Sequence, residues 1–224
     1  MQKIKDIIEK NRGKTVFLEH EVKGLLKEMG FSVPKGIFVD KDMADHIPAM
    51  INIPYPLVAK VSSSKIVSKS EVNGVRIGLK NENELKKAVI ELLQIRDAEG
   101  VLIEEMAKPG LEVIVGGVID DQFGPVVMFG LGGIFVELFR DVAFALAPVK
   151  KEDAFWLVRQ VKGYKLLEGY RGRPPADIEV LLEMIVKVSG MIATGLIKEI
   201  DLNPVSLYSE GAMVLDAKIL AYTA

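Results

Sequence analysis

Near its C-terminal end, the chain alternates polar and apolar residues with a period of two. Glu199, Asp201 and Asn203 are separated by Ile200 and Leu202. Because successive side chains of an extended strand point to opposite faces, three oxygen-bearing side chains share one face and the apolar ones share the other. This pattern predicts a β-strand with one core face and one face that offers hard ligands.

A second strand-like run, Ala212 to Ile219, follows after a turn-sized connection. In a hairpin centred near Glu210, Asn203 lies opposite residue 217, and Asp216 is its immediate neighbour. Two oxygen ligands from adjacent strands then converge, which suits Mg²⁺ because that ion takes its remaining ligands from water and phosphate. The alternative is an ordinary half-exposed strand whose polar residues face outward.

The remaining apolar patterns are short strand-like runs with helical stripes between and after them, which predicts an α+β fold. Strands are predicted at Gly36–Val39, Pro56–Val61, Val75–Leu79, Val101–Glu105, Glu112–Ile119 and Pro125–Phe129. Helices are predicted at Met1–Asn11, His20–Gly30, Glu82–Arg96, Glu152–Val161 and Ile178–Ala193. Gly30 occupies a C-cap position.

Composition excludes several classes of protein. A hydrophobic content of 49% supports a buried core rather than disorder, and a net charge of -2 gives no basic field for nucleic acid. With no cysteine, the chain has no disulfide and no thiolate nucleophile. No secretory h-region and no apolar run of about 20 residues is present, so we expect a cytoplasmic protein that is not an integral membrane protein.

Two apparent nucleotide motifs fail. Gly13-Lys14-Thr15 lacks the first glycine of a P-loop, because that position is Ile8. Gly130, Gly132 and Gly133 follow a strand, but Phe135 stands at the third glycine position of a dinucleotide fingerprint. This glycine cluster suits a phosphate cradle of backbone N–H groups or a plain tight turn, and glycine content alone does not choose between them.

Several long motifs together are more specific than any glycine pattern. They read GVLIEEM, FGPVVMFGLGGIFVEL, GYKLLEGYRGRPPAD, IKEIDLNPV and VLDAKI. Together they resemble the ATP-grasp (beta) subunit of ADP-forming acetate-CoA ligases and other NDP-forming acyl-CoA synthetases, relatives of the succinyl-CoA synthetase beta subunit. The resemblance implies an ATP-grasp fold of two α+β lobes with the nucleotide site between them. It places N-terminal helices and the small lobe in residues 1–104, and the large lobe with a magnesium site in residues 105–224.

The resemblance also implies an activity and a partner. The family interconverts acyl-CoA and ATP with the free acid, CoA, ADP and phosphate, and passes the phosphoryl group through phosphohistidine. This chain has no counterpart of the family's CoA-binding domain. The resemblance therefore implies a hetero-oligomer with a CoA-binding alpha subunit, and no nucleic-acid or membrane partner.

Carried over residue by residue, the resemblance implies a set of contacts to ATP or ADP and Mg²⁺. Lys60 reaches the phosphates, Glu105 and Met106 lie at the hinge beside the adenine, and Glu112 binds the ribose hydroxyls. The nucleotide set is completed by Gly74, Gly132 and Gly133, and Asn203 and Asp216 match the magnesium ligands. Arg171 and Arg173 suit either a phosphate or a partner surface.

The chain departs from the family at two positions. Ser68 stands where relatives carry the phosphohistidine, and a serine hydroxyl is a weak nucleophile that needs a base. Ala145 replaces an arginine, which removes a fixed positive charge. His20 and His46 are interpreted as surface residues, so we expect no phosphohistidine relay within this chain.

Three hypotheses follow from these departures. In the first, which is preferred, the partner's own phosphohistidine swings to the nucleotide. In the second, the chain is a non-catalytic paralogue that binds nucleotide or assembles with the synthetase but has lost turnover. In the third, it is a carboxylate ligase that forms a free acyl phosphate.

Overall fold

The computed structural model describes residues 6, 13–42, 52–66, 68–133 and 139–222. The chain forms two compact units. The smaller unit comprises Leu18–Glu21 and Pro34–Lys108, and the larger one takes in the described residues of Met1–Phe17, Val22–Val33 and Pro109–Ala224. Each has its own hydrophobic core.

The smaller unit is a four-stranded antiparallel sheet in the order β1-β4-β2-β3, with helix α2 packed on it. Its elements are β1 (Gly36–Asp40), β2 (Leu57–Ser62), β3 (Val75–Leu79), α2 (Glu82–Leu93) and β4 (Gly100–Glu105). Helix α2 begins where the Asn81 side chain accepts a hydrogen bond from the Glu84 N–H, a typical N-cap. Its buried residues, Leu85, Ala88, Val89 and Leu92, follow the predicted stripe and close the core.

The larger unit is built on a six-stranded antiparallel sheet in the order β10-β8-β5-β6-β7, with β9 paired to β8. Helix α4 packs on β5, β6 and β8, and helix α3 packs on β7 and α4, so one face of the sheet forms the core. Its elements are α1 (Glu19–Glu28), which starts in the smaller unit, β5 (Leu111–Asp120), β6 (Gly124–Leu131), β7 (Val142–Leu146), α3 (Lys151–Arg159), a 3₁₀ turn (Lys162–Leu166), α4 (Ile178–Ile192), β8 (Ile197–Leu207), β9 (Ala212–Val214) and β10 (Ala217–Ala221).

The predicted α+β class and most of the predicted elements are confirmed, with differences at one strand and at helix ends. The predicted helix Glu82–Arg96 ends at Leu93. Strand β7 was not predicted, because its five residues carry two alanines and no turn signal precedes them. The predicted helix Glu152–Val161 ends at Arg159, and the chain continues as the 3₁₀ turn. The predicted N-terminal helix and His46 lie outside the described residues.

The closing hairpin differs from its prediction by one residue. Leu202, rather than Asn203, lies opposite Ala217. The turn contains four residues, Tyr208 to Gly211, so its centre falls half a residue before Glu210. The second run is also interrupted, because the N–H groups of Leu215 and Asp216 both donate to the carbonyl oxygen of Pro204. This irregularity separates β9 from β10.

No helix within the described ranges is both long enough and apolar enough to span a bilayer.

Candidate nucleotide and metal site

Lys60 lies in the middle of β2 and is only 8% exposed. Its Nζ is 2.9 Å from Glu19 Oε1 and 2.9 Å from Glu104 Oε2, and these two carboxylates are 4% and 2% exposed. Unpaired charges are costly to bury, so the three groups depend on one another. An ammonium has three N–H donors, and while both carboxylates hold it, at most one N–H can point to a phosphate oxygen.

The described residues of 63–74, which are 63–66 and 68–74, are here called the β2–β3 loop, and Lys69 and Gly74 contact β2 or each other through backbone hydrogen bonds. The Gly74 N–H donates to the Lys69 carbonyl oxygen at 2.6 Å, and the Val61 N–H donates to the Gly74 oxygen at 2.8 Å. A Cβ at Gly74 would lie 2.5 Å from Val61 Cγ1 and 3.0 Å from the Lys69 oxygen. Gly74 is thus required for this close approach. Ser68, which is half-exposed, directly precedes Lys69, the residue whose carbonyl oxygen accepts this hydrogen bond.

Glu105 and Met106 lie at the end of β4. Glu105 Oε1 accepts a hydrogen bond from the Lys35 N–H at 2.9 Å, and the Glu105 N–H donates to the Lys35 oxygen at 2.9 Å. The Met106 N–H donates to the Pro56 oxygen at 3.2 Å, and its side chain is exposed. The backbone of this segment is therefore held on both sides, which suits a binding surface that must keep its shape.

Glu112 and the glycine pair Gly132–Gly133 come together in the larger unit. The Gly132 N–H donates to the Glu112 oxygen at 2.8 Å, and a Cβ on Gly132 would lie 2.9 Å from Glu112 Cβ and 3.0 Å from its backbone carbon. Gly133 has φ of 61°, which favours glycine. The exposed Glu112 side chain thus stands next to a glycine turn.

Asn203 and Asp216 are joined by a hydrogen bond from the Asn203 N–H to the Asp216 oxygen, at 3.1 Å. Asp201 lies two residues away on the same face of β8, while Ile200 and Leu202 point into the core. Desolvation by burial raises the pKa of Asp201, and the charges of Asp216 and Glu199 raise it further. The Asn203 side chain opposes this by a hydrogen bond to Asp201.

In the larger unit, Glu112 shares one face of the sheet with Asp201 and Asn203. Gly116, on the same side of β5 as Glu112, lies opposite Asp201. On the other face, Val115 and Leu202 lie opposite each other in the core. Glu112, Asp201 and Asn203 therefore project from adjacent strands on the face opposite helices α3 and α4. Glu112, predicted to bind the nucleotide, and Asn203, predicted to bind the metal, thus share one face.

The ATP-grasp domain model matches residues 9–220. The chain belongs to the ATP-grasp family. Its relatives include the beta subunit of acetate–CoA ligase (ADP-forming) I of Pyrococcus furiosus, 42% identical over 228 residues and covering 97% of each chain. Acetate–CoA ligase (ADP-forming) II of Archaeoglobus fulgidus is 44% identical over 205 residues, but this chain spans only 30% of its length.

A solved structure also matches this ATP-grasp chain along its length. It is that of Candidatus Korarchaeum cryptofilum dinucleotide forming acetyl-coenzyme A synthetase 1, in complex with coenzyme A, Ca-AMPCP and HgCl⁺. The TM-score is 0.86 at 37% identity, and 99% of each chain is covered. The resemblance to ATP-grasp beta subunits of ADP-forming acetate–CoA ligases is thus confirmed.

The position of the family arginine, Ala145, lies on β7 opposite Val127, a core residue. Ala145 packs against the core, whereas its neighbours Phe144 and Leu146 are exposed on the other face. His20 is half-buried and its ring stacks on Phe38 with centroids 4.1 Å apart, so the prediction of a plain surface residue is wrong for it.

Arg171 and Arg173 are exposed and flank Gly172 in the turn that leads to α4. Arg171 has φ of 48°, Gly172 has φ of 83°, and the Arg173 N–H donates to the Tyr170 oxygen at 3.1 Å. This ATP-grasp chain therefore presents the two guanidinium groups from a closed turn. Their binding partner stays a prediction.

Among the residues that the structure describes, four buried charged residues were not predicted. Glu19 and Glu104 lie beside Lys60, and Lys23 Nζ donates to the Leu215 oxygen at 2.7 Å, next to Asp216. The fourth, Asp141, accepts hydrogen bonds from the N–H groups of Lys162 and Gly163. Glu104 carried a detectable signal, because it lies in an otherwise apolar strand, where a charge needs a partner. Glu19 and Lys23 carried none, since charged residues in a helix are usually exposed.

Proposed function

We propose that the chain is the nucleotide-binding subunit of an ADP-forming acyl-CoA synthetase, with acetyl-CoA as its acyl-CoA. It binds Mg–ATP or Mg–ADP and takes part in phosphoryl transfer with a CoA-binding alpha subunit in a cytoplasmic hetero-oligomer. Support comes from the P. furiosus relative, which is itself a beta subunit of such a ligase, and from the solved relative, which holds coenzyme A and a nucleotide analogue. Nucleic acid and membrane are not partners in this proposal.

The observation that carries the proposal is the shared face of the larger sheet. Glu112, beside its glycine turn, offers a carboxylate to ribose hydroxyls. Asn203 and Asp216 offer two hard oxygen donors from adjacent positions. A nucleotide needs both kinds of contact at once.

The donor set fits Mg²⁺. Burial raises the pKa of Asp201, and the negative charges of Asp216 and Glu199 raise it further; a divalent cation would offset these charges. Asn203 and Asp216 would hold the ion, whose charge would offset that of the phosphates.

The chain's other residues position the nucleotide. In the smaller unit, Lys60 donates to a phosphate oxygen while Glu19 and Glu104 keep its ammonium in place. Ser68 does not take up the phosphoryl group, because a hydroxyl without an activating base is a poor nucleophile. The acceptor is therefore a histidine of the partner subunit.

Calorimetry of the purified chain with ADP, with and without Mg²⁺, tests the site. We expect Mg²⁺-dependent binding that Asp216→Asn weakens by roughly 10-fold or more, since a lost metal ligand costs at least as much as a lost supporting contact. Asp121→Asn is the matched control, because Asp121 is an exposed carboxylate in the β5–β6 turn. Equal behaviour of the two variants, or no Mg²⁺ dependence in the wild type, contradicts the proposal.

Phosphoryl transfer is tested with labelled ATP, Mg²⁺ and the copurified partner subunit. The label is expected on a histidine of the partner. Label retained on Ser68, or no label on either subunit, would overturn this part of the proposal.

A further inference from the structure

We infer that Glu19 is a positioning residue that couples the nucleotide lysine to the β2–β3 loop, an inference that rests on the proposed nucleotide site at Lys60. Each oxygen of its carboxylate serves a different lysine. Oε1 is 2.9 Å from Lys60 Nζ, and Oε2 is 3.0 Å from Lys69 Nζ. Lys69 follows Ser68 directly in the loop.

The loop is held to β2 from two sides at Lys69. Its side chain reaches Glu19, while its carbonyl oxygen accepts the Gly74 N–H, and Gly74 in turn accepts the Val61 N–H. Val61 is the neighbour of Lys60 in β2. A closed path therefore runs from the lysine ammonium through Glu19 to the loop, and back through backbone hydrogen bonds to the same strand.

The charges in this path balance. Glu19 and Glu104 face Lys60 and Lys69, and all four side chains are at most 20% exposed. In such a weakly solvated cluster, a phosphate placed beside Lys60 repels the Glu19 carboxylate and competes for the same ammonium. Glu19 then relies more on Lys69, so nucleotide binding changes the strength with which the loop is held.

If Glu19 only stabilised the fold, nucleotide binding would leave the hydrogen exchange of the loop amides unchanged. The distinguishing measurement is hydrogen exchange of loop amides with and without Mg–ADP. The Gly74 and Val61 amides report it directly, because both donate within the loop closure.

The experiment compares three variants of the full chain with the wild type. Lys69→Met removes the charge on the loop side of the Glu19 bridge, Lys69→Arg restores it, and Lys65→Met is the matched control. Lys65 lies in the same loop, is 74% exposed, and pairs only with Asp97 among the ion pairs of the described residues. Nucleotide affinity of each variant is measured by calorimetry.

In the wild type and in Lys65→Met, Mg–ADP is expected to change the hydrogen-exchange rates of the Gly74 and Val61 amides. In Lys69→Met, the nucleotide-free loop exchanges roughly 10-fold or more faster, as expected for the loss of an ion pair in a weakly solvated cluster, and Mg–ADP no longer changes it. Lys69→Arg keeps the wild-type behaviour. The inference is overturned if Mg–ADP still changes the exchange rates in Lys69→Met. It is also overturned if, without nucleotide, the loop of Lys69→Met exchanges at the same rate as the loop of Lys65→Met.

The two proposals fail in distinguishable ways. Absence of Mg–ADP binding by the wild type contradicts the proposed function and the nucleotide-coupled part of this inference. The anchoring of the loop by Glu19 is then judged by the nucleotide-free exchange of Lys69→Met alone.

Discussion

Replacing Lys60 by methionine tests whether the buried charges depend on one another. Lys60→Met keeps the length of the side chain but removes the ammonium that lies beside the Glu104 carboxylate, which is 2% exposed, while the Lys69–Glu19 ion pair is retained. Removing one partner of a buried ion pair typically costs about 3–5 kcal/mol. For a chain of this size, each kcal/mol lowers the melting temperature by roughly 2–4 °C, so we expect a decrease of about 6–20 °C.

A second substitution separates the loss of charge balance from the loss of the side chain. In Lys60→Met/Glu104→Gln the buried carboxylate charge is removed together with the ammonium, and since buried pairs replaced by neutral groups are often tolerated, most of the stability should return. Nucleotide binding should stay lost in both variants, because both lack the ammonium. The double variant is therefore expected to regain stability without regaining nucleotide binding.

Urea denaturation followed by circular dichroism measures the free energy of unfolding, and thermal denaturation measures the melting temperature. Calorimetry measures nucleotide binding. Lys65→Met is the control, since an exposed pair such as Lys65–Asp97 is worth about 0.2–1 kcal/mol. The reasoning is refuted if Lys60→Met costs no more than Lys65→Met, or if the double variant is no more stable than the single one.

Two further predictions concern backbone geometry. Gly132→Ala should lose about 1–3 kcal/mol, because the new Cβ meets the Glu112 backbone. Gly190→Ala, in α4 with open space around the new Cβ, should gain about 0.5–1 kcal/mol. Thermal denaturation would contradict this if both shifts had the same sign. Asp120 accepts N–H bonds from Phe123 and Gln122 that lower its pKa. Its contribution is therefore present above the ordinary aspartate pKa and lost as the pH falls through the lowered one. Asp120→Ala should be less stable than wild type at neutral pH, with the difference vanishing in acid, whereas a constant difference between pH 2 and 6 would count against the assignment.

Sequence patterns predicted most elements because each has a clear period. The apolar stripe of α2 and the alternation of polar and apolar residues in β8 are local patterns. The apolar residues of both patterns are buried in the structure. The exact register of the closing hairpin was missed by one residue. It depends on which backbone groups close the turn from Tyr208 to Gly211, and no side-chain pattern encodes that choice.

The candidate site could be predicted only in part. Motif resemblance identified Glu112 and the Asn203–Asp216 pair, and the fold shows that they share a face. The partners of Lys60 could not be predicted, because Glu19 is 41 residues away in the chain and its burial results from tertiary packing. Long-range ion pairs leave no spacing rule in a single sequence.

The double hydrogen bond to Pro204 has a consequence for how this chain can change length during evolution. Residues added in the exposed turn at Ser209 and Glu210 leave the pairing of β9 with β8 intact, so insertions there are tolerated. A residue gained or lost between Asp216 and Ala217 would slip β10 by one position and turn its alternating side chains to the opposite face. In related sequences, length variation should therefore concentrate before β9 and be absent from Leu215 and Asp216, the two residues between β9 and β10.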